Sequence, residues 1–421
     1  MARKKAPEAP PLTEADRAYQ GAVTGADAYR TVRGAVRVEG TVLRIGNRFV
    51  DVEGFREIAF LAIGRAAVSC GFALVDALGD RLTQGYLAGP DEVPERIPFL
   101  HRRTTSEAVG SPDAAPVVES ALELAGGLTG KDLLILAISP GALGLLATAP
   151  TGLGADAYGD LVGRLRAAGA TGPEVERFVR ATAGGLAGGR LLAAARSARV
   201  LPLLIDRGGA IEAAGGGPTR PLALEETVAA RALLERLGIP DGGGAEIRRA
   251  LAAAPVPAEA VRPVVVAAPA DALQGAGDAL SESLWWSRLA TLALPGNVDA
   301  AAREFTERVE EVLLGIPKTR ERRKGVAIFA GAPLDCPDGD GEGQAIARLL
   351  PALKAQARRR DLEFAVFRTA GARPGDVGTP AGSIGSTGAA ITPLRAYRSG
   401  QPGVTDVGPV VMAIRSEPAR S

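Results

Sequence analysis

Residues 58–64, Ile58-Ala59-Phe60-Leu61-Ala62-Ile63-Gly64, and residues 133–141, Leu133-Leu134-Ile135-Leu136-Ala137-Ile138-Ser139-Pro140-Gly141, decide the fold. Each is an unbroken apolar run of strand length that stops at a turn containing glycine. A strand that is apolar on both faces must be covered on both faces, which is the condition of a parallel sheet between layers of helix. Val200-Leu201-Pro202-Leu203-Leu204-Ile205-Asp206 is a third such run. Val264-Val265-Val266-Ala267 and the apolar runs at 326–329, 364–367 and 410–414 extend the alternation. The expected fold class is α/β, with a larger N-terminal Rossmann-like parallel sheet and a smaller C-terminal α/β domain.

Outward from these runs, a helix is expected from Gly64 to Leu78 and another from Glu225 to Leu237, the latter stopped by Gly238 and Pro240. Residues 40–52 alternate apolar side chains about Gly46-Asn47 and read as a hairpin. Helices are expected over 297–314 and 344–360, and one close to the Trp285-Trp286 pair. Residues 1–16 carry three prolines and several charges among few hydrophobes, the composition of a disordered tail. Residues 240–263 are rich in Pro, Gly and Ala and mark a boundary, giving domains over 17–258 and 259–421.

Composition narrows the functional classes. The chain has 421 residues, enough for two domains, and 46% are apolar but only 4% aromatic, so the cores are filled by small aliphatic side chains. Forty-nine basic residues face 48 acidic ones, a balance that argues against nucleic acid as a partner. Two cysteines, Cys70 and Cys336, and a single histidine, His101, are too few for a zinc or His-based centre. The N-terminal stretch has no apolar signal region and no run is long enough to span a bilayer, so a cytoplasmic protein without membrane association is expected.

Several stretches have the look of ligand loops. The turns after the first two strands, at Gly64-Arg65 and Ser139-Pro140-Gly141, stand where α/β proteins bind ligands. Gly130-Lys131-Asp132 lacks the glycine spacing and the hydroxyl of a phosphate-binding P-loop. The acidic turn at 338–343 opens like a calcium loop, but its twelfth position is Leu349. The basic run at 318–324 and the glycine-rich segment at 382–388 read as solvated loops.

In order and spacing, these pieces resemble the glycerate 2-kinase family, whose members carry a C-terminal MOFRL domain and are also known as hydroxypyruvate reductases. Ile63-Gly64-Arg65-Ala66 is similar to that family's VGAGKA turn, and residues 138–146 to its ISGGGSALL loop. Residues 179–191, from Val179-Arg180 to Arg190-Leu191, follow its VRKHLSxIKGGRLA segment. Asp206 and Gly217-Pro218-Thr219 stand at the two ends of its SDVxGDDxxxIASGPT stretch. Gly331-Ala332-Pro333-Leu334, Asp376 with its followers, and residues 399–407 resemble three later motifs. The resemblance implies a cleft between a Rossmann-like and a MOFRL-like domain, in which ATP, magnesium and glycerate meet.

The departures from the family pattern bear on activity. Arg65 replaces the first-turn lysine, Ala187 the lysine before the paired glycines, Pro140 a loop glycine and Gly144 a loop serine. The acidic GDD positions fall on Gly209, Ala210 and Ile211 or on their neighbours. Phosphate cations, loop donors and metal carboxylates are lost together. The expectation is therefore a pseudoenzyme with no catalytic residues, no metal and no cofactor, acting as a scaffold or regulator through self-association or a protein partner. Its vestigial ligand cleft would be formed by Gly64, Arg65, Ser139, Gly141, Asp206, Gly217, Pro218, Thr219 and Asp376. The alternative is an active phosphotransferase using ATP and magnesium, or an enzyme acting on another small anion through Arg65, Ser139, Asp206 and Asp376.

Overall fold

The computed structural model describes residues 13–90, 100–104, 108–195, 197–208, 217–239, 244–253, 260–316, 323–332, 341–369, 396–397, 401–402 and 407–416. The chain opens with α1 (Glu14–Gly25) and α2 (Ala28–Ala35), each started by a side-chain cap. The Thr13 hydroxyl accepts from the Asp16 N–H, and the Asp16 carboxylate accepts in return from the Thr13 N–H. Residues 13–16, expected in a disordered tail, are thus the cap and first turn of α1; residues 1–12 lie outside the described residues. Strands β1 (Val36–Glu39), β2 (Val42–Ile45) and β3 (Arg48–Asp51) form an antiparallel sheet, with the expected turn at Gly46-Asn47.

The large sheet contains β4 (Glu57–Ile63), β5 (Gln84–Gly89), β6 (Leu100–Thr104), β7 (Asp132–Ile138), β8 (Arg199–Ile205) and β9 (Val264–Ala267). Its spatial order is β6-β5-β4-β7-β8-β9 and every pairing is parallel. Ranked by chain order this is 3-2-1-4-5-6, the doubly wound arrangement, and its topological switch point falls between β4 and β7. Helices α3 (Ala67–Leu78) and α4 (Ala114–Gly127) belong to the first half of this sheet. Between β7 and β8 run α5 (Ala142–Leu146), α6 (Ala155–Ala167), α7 (Gly172–Thr182) and α8 (Arg190–Ala194), and between β8 and β9 run α9 (Leu224–Arg236) and α10 (Gly244–Ala252). Alternate residues of the central strands enter different cores: Phe60, Ala62, Leu133 and Ile135 one, Leu61, Ile63, Leu134 and Leu136 the other.

The second sheet follows, with α11 (Pro269–Glu282), β10 (Trp285–Thr291), α12 (Val298–Leu314), β11 (Gly325–Gly331), α13 (Gly341–Gln356) and β12 (Glu363–Arg368). A short antiparallel bridge, β13 (Ala396–Tyr397) with β14 (Gln401–Pro402), precedes the last strand, β15 (Pro409–Ser416). The order is β10-β11-β15-β12; β10 is parallel to β11, and β15 is antiparallel to both its neighbours. Trp285 and Trp286 lie on β10, not on a helix, so they point to opposite faces of the sheet and enter different cores. The Arg288 guanidinium stacks 3.6 Å from the centroid of the Trp286 ring.

The two halves are joined more closely than a boundary after residue 258 suggests. Strand β9 completes the large sheet from beyond that position, and residues 254–259 lie outside the described residues. At the other end, α1 packs backbone to backbone on α11: a Cβ on Gly275 would stand 2.2 Å from the Gly21 carbonyl oxygen. Tyr19 of α1 meets Phe367 of β12 edge to face, with centroids 5.8 Å apart. Among the described residues no helix is long and apolar enough to cross a membrane.

Candidate functional site

In a doubly wound sheet the ligand crevice opens outside the carboxyl ends of the strands that flank the switch point. Here those ends are Gly64 after β4 and Ser139 after β7, and the two turns are bonded to each other. The Ser139 hydroxyl donates to the Ile63 carbonyl at 3.1 Å and accepts the Ala66 N–H at 3.0 Å. The Arg65 N–H donates to the Pro140 carbonyl at 2.8 Å, and the Ser139 N–H to the Ile63 carbonyl at 3.0 Å.

Gly64 adopts φ +112°, and a Cβ there would stand 2.3 Å from the Ser139 carbonyl oxygen and 2.4 Å from its hydroxyl. Glycine is required by the close approach of the neighbouring backbone. The amides at the entrance to α3, which in a phosphate-binding turn face the anion, are here turned to Pro140 and Ser139. Gly141, with φ 92°, heads the five-residue α5, and the Ala142 N–H turns back to the Ser139 carbonyl at 3.2 Å.

Asp206 follows β8, is 9% exposed, and gives its N–H to the Ala267 carbonyl at 2.8 Å. Beside it, the Arg207 carbonyl lies 3.4 Å from where a Cβ on Gly408 would stand. The loop after β8 therefore meets the start of β15, where buried Thr369 accepts the Val407 N–H at 3.1 Å. This is where the large sheet's loop reaches the second sheet.

The third group is Gly217-Pro218-Thr219. Thr219 is buried and its carbonyl accepts the Val261 N–H at 2.9 Å. Gly217 lies against the guanidinium of Arg180, whose Cζ and Nη2 would each be 2.7 Å from a Cβ at position 217. Arg180 is 1% exposed, and its Nη1 donates to Glu226 Oε1 at 2.5 Å. Arg220 Nη2 shares that same oxygen at 3.0 Å, while Glu226 Oε2 accepts the Ala223 N–H at 2.9 Å. Burial pushes the Arg180 pKa down, against the pull of Glu226. Sequence reading did not select Arg180; the signal available was a cation directly following Phe178 and Val179 in the apolar last half of the helix.

The structure thus places Gly64, Arg65, Ser139 and Gly141 together at the switch point, Asp206 at the seam with the second sheet, and residues 217–219 against Arg180. Asp376, the glycine-rich segment at 382–388 and the GDD-equivalent positions 209–211 lie outside the described residues, as does most of the basic run and the opening of the acidic turn. Among the described residues, no three His, Cys, Asp or Glu side chains gather as a metal-ligand group. Cys70 is a packing thiol: burial first, and nearby Asp27 second, push its pKa up to about 12.

Residues 14–252 match the family described as a domain of unknown function, DUF4147. No curated protein sequence matches the chain. The PH0495 protein of Pyrococcus horikoshii OT3 is similar in structure, with a TM-score of 0.68 at 16% identity, over 96% of this chain and 98% of its own. A glycerate kinase of Thermotoga maritima is similar with a TM-score of 0.66 at 16% identity, over 94% of this chain and 97% of its own.

Proposed function

Because the chain belongs to the DUF4147 family and has the fold of a glycerate kinase, we propose that it is a catalytically degenerate glycerate 2-kinase homologue that works through binding. The observation that carries this reading is the closed switch point. Arg65 and Ala66 give their amides to Pro140 and Ser139, the turn that would otherwise present them to a phosphate. Ala187, fully buried, stands where the resembled motif has a lysine, and a methyl group offers no charge to a transferring phosphoryl group. Removing one such group commonly costs about 100-fold in rate, and several are missing together.

In this reading the chain uses no magnesium nucleotide: Asp206 brings a carboxylate to the seam but belongs to no group of three acidic, His or Cys side chains among the described residues. In this reading the second sheet corresponds to the smaller MOFRL-like domain. The protein acts in the cytoplasm as a scaffold, subunit or regulator, in a homo-oligomer or with a protein partner, without nucleic acid or membrane.

The test is a magnesium-dependent assay with pure full-length protein, ATP and D-glycerate, reading phosphoglycerate formation. No product above a protein-free control is expected. Stoichiometric turnover that an inactive preparation does not show would overturn the reading and support an active phosphotransferase.

A further inference from the structure

Arg180 is a buried cation with one of its two recognition edges unused. Other arginines of the chain show what that edge does. Arg56 directs Nε and Nη2 to the two carboxylate oxygens of Asp132 at 3.1 and 2.8 Å, and Arg359 directs the same pair to Asp361 at 2.9 and 2.7 Å. Arg308 places both on Glu304 at 2.9 and 2.7 Å. In Arg180 only Nη1 is engaged; Nε and Nη2 are shielded from solvent and have no hydrogen-bond partner among the described residues.

Buried N–H groups of a guanidinium are costly to leave unpaired, and native structures rarely do so without a reason. Arg180 and Arg220 converge on a single oxygen of Glu226, so that oxygen has no capacity left for the second edge of Arg180. Glu176 and Arg177, also on α7, act on Arg180 in opposite directions.

We infer that the Nε–Nη2 edge of Arg180 anchors an oxyanion site, taking the carboxylate or phosphate group of a small ligand side-on. The planar fork matches two oxygens of such a group, which would satisfy both of its buried N–H donors. Gly217, at φ +59°, lies over the guanidinium, so the turn it forms with Pro218 and Thr219 must lift to admit a ligand. A glycine tolerates that conformational change where a larger residue would not. The site goes beyond the pseudoenzyme reading and holds whether or not the chain transfers phosphate.

Titration calorimetry of the full chain with inorganic phosphate and, separately, acetate tests it, with chloride holding ionic strength constant. Saturable binding of at least one anion above the chloride background is expected, and the stronger of the two identifies phosphate or carboxylate as the preferred group. Arg180→Lys keeps the charge and removes the fork; affinity should fall about 10- to 100-fold, the loss expected for a charged hydrogen bond. Glu226→Gln keeps Arg180 and removes the competing carboxylate charge, so affinity should rise. Absence of saturable binding to wild-type protein overturns the inference, as does unchanged affinity in Arg180→Lys. Should Arg180→Lys fail to fold, unchanged or weaker binding by Glu226→Gln overturns it instead.

Discussion

Replacing Gly64 with alanine probes the contact that closes the switch point. The new Cβ would stand 2.3 Å from the Ser139 carbonyl oxygen, 2.4 Å from its hydroxyl and 2.8 Å from the Pro140 carbonyl oxygen. Two of these atoms are backbone of an adjacent turn, so no rotamer change relieves the clash. An alanine held at φ +112° costs about 1–3 kcal/mol by itself. Moving the β7 turn away breaks the Ser139–Ala66 and Arg65–Pro140 hydrogen bonds, at about 1 kcal/mol each. The expected loss is therefore about 3–5 kcal/mol.

Urea unfolding followed by far-ultraviolet circular dichroism measures it, with tryptophan fluorescence as a separate report on β10, where Trp285 and Trp286 lie. Gly34→Ala is the matched control: Gly34 lies within α2 with nothing within 4 Å of a Cβ, so alanine there should stabilise by about 0.5–1 kcal/mol. If Gly64→Ala unfolds within about 1 kcal/mol of the wild type, the two turns are not locked together and the closed switch point is refuted.

Three further outcomes are expected. Asp132 is desolvated, but the hydrogen bonds from Arg56 and Thr129 outweigh burial and hold its pKa down to about 2. Its stabilising contribution is complete above the unfolded value of 3.8 and is lost as pH falls through about 2. Asp132→Asn should cost about 1–2 kcal/mol at pH 7, after allowing for solvent screening of the half-exposed Arg56, and should flatten the acid limb of a stability–pH curve. Asp27 behaves in the opposite sense, because burial, against its hydrogen bond from the Arg30 N–H, pushes its pKa up to about 6. Its charged form burdens the fold above that pH and the burden lifts as pH falls from about 6 toward 3.8, so Asp27→Asn, which keeps the cap acceptor, should raise the midpoint of urea unfolding at pH 8 by about 1–3 kcal/mol equivalent. Gly275→Ala places a Cβ 2.2 Å from the Gly21 carbonyl oxygen, so α1 should part from α11; hydrogen exchange in residues 14–25 should speed up while that of β7 stays slow.

The strands that carry the site were legible because nothing but burial on both faces explains their composition. Residues 58–63 and 133–138 are apolar without interruption, and β4 and β7 are the two central strands of the parallel sheet. Strands β5 and β6 were not legible: Gln84–Gly89 is short and glycine-rich, and Leu100–Thr104 is an edge strand with exposed His101, Arg102 and Arg103. Edge positions relax the demand for apolar residues on which sequence reading depends. The helix expected close to Trp285 and Trp286 is α11, but the strand that bears the pair was not legible, because two adjacent bulky residues do not reveal the period of their backbone.

For the site, the sequence by itself determined which residues sit at the ends of the strands, since a glycine or serine after an apolar run marks the turn wherever the chain goes next. It also determined that positions 65 and 187 carry Arg and Ala, where the resembled motifs have lysine. Only the tertiary structure decided what those turns do. Gly64 and Ser139 are 75 residues apart in the chain, and only the adjacency of β4 and β7 brings the hydroxyl of one turn onto the amide of the other. The same holds for Arg180 and Gly217, whose contact depends on how α7 packs beside the turn before α9. Local composition records whether a segment is buried; which group meets which is settled by long-range packing, and in this protein the chemistry of the site lies in those meetings.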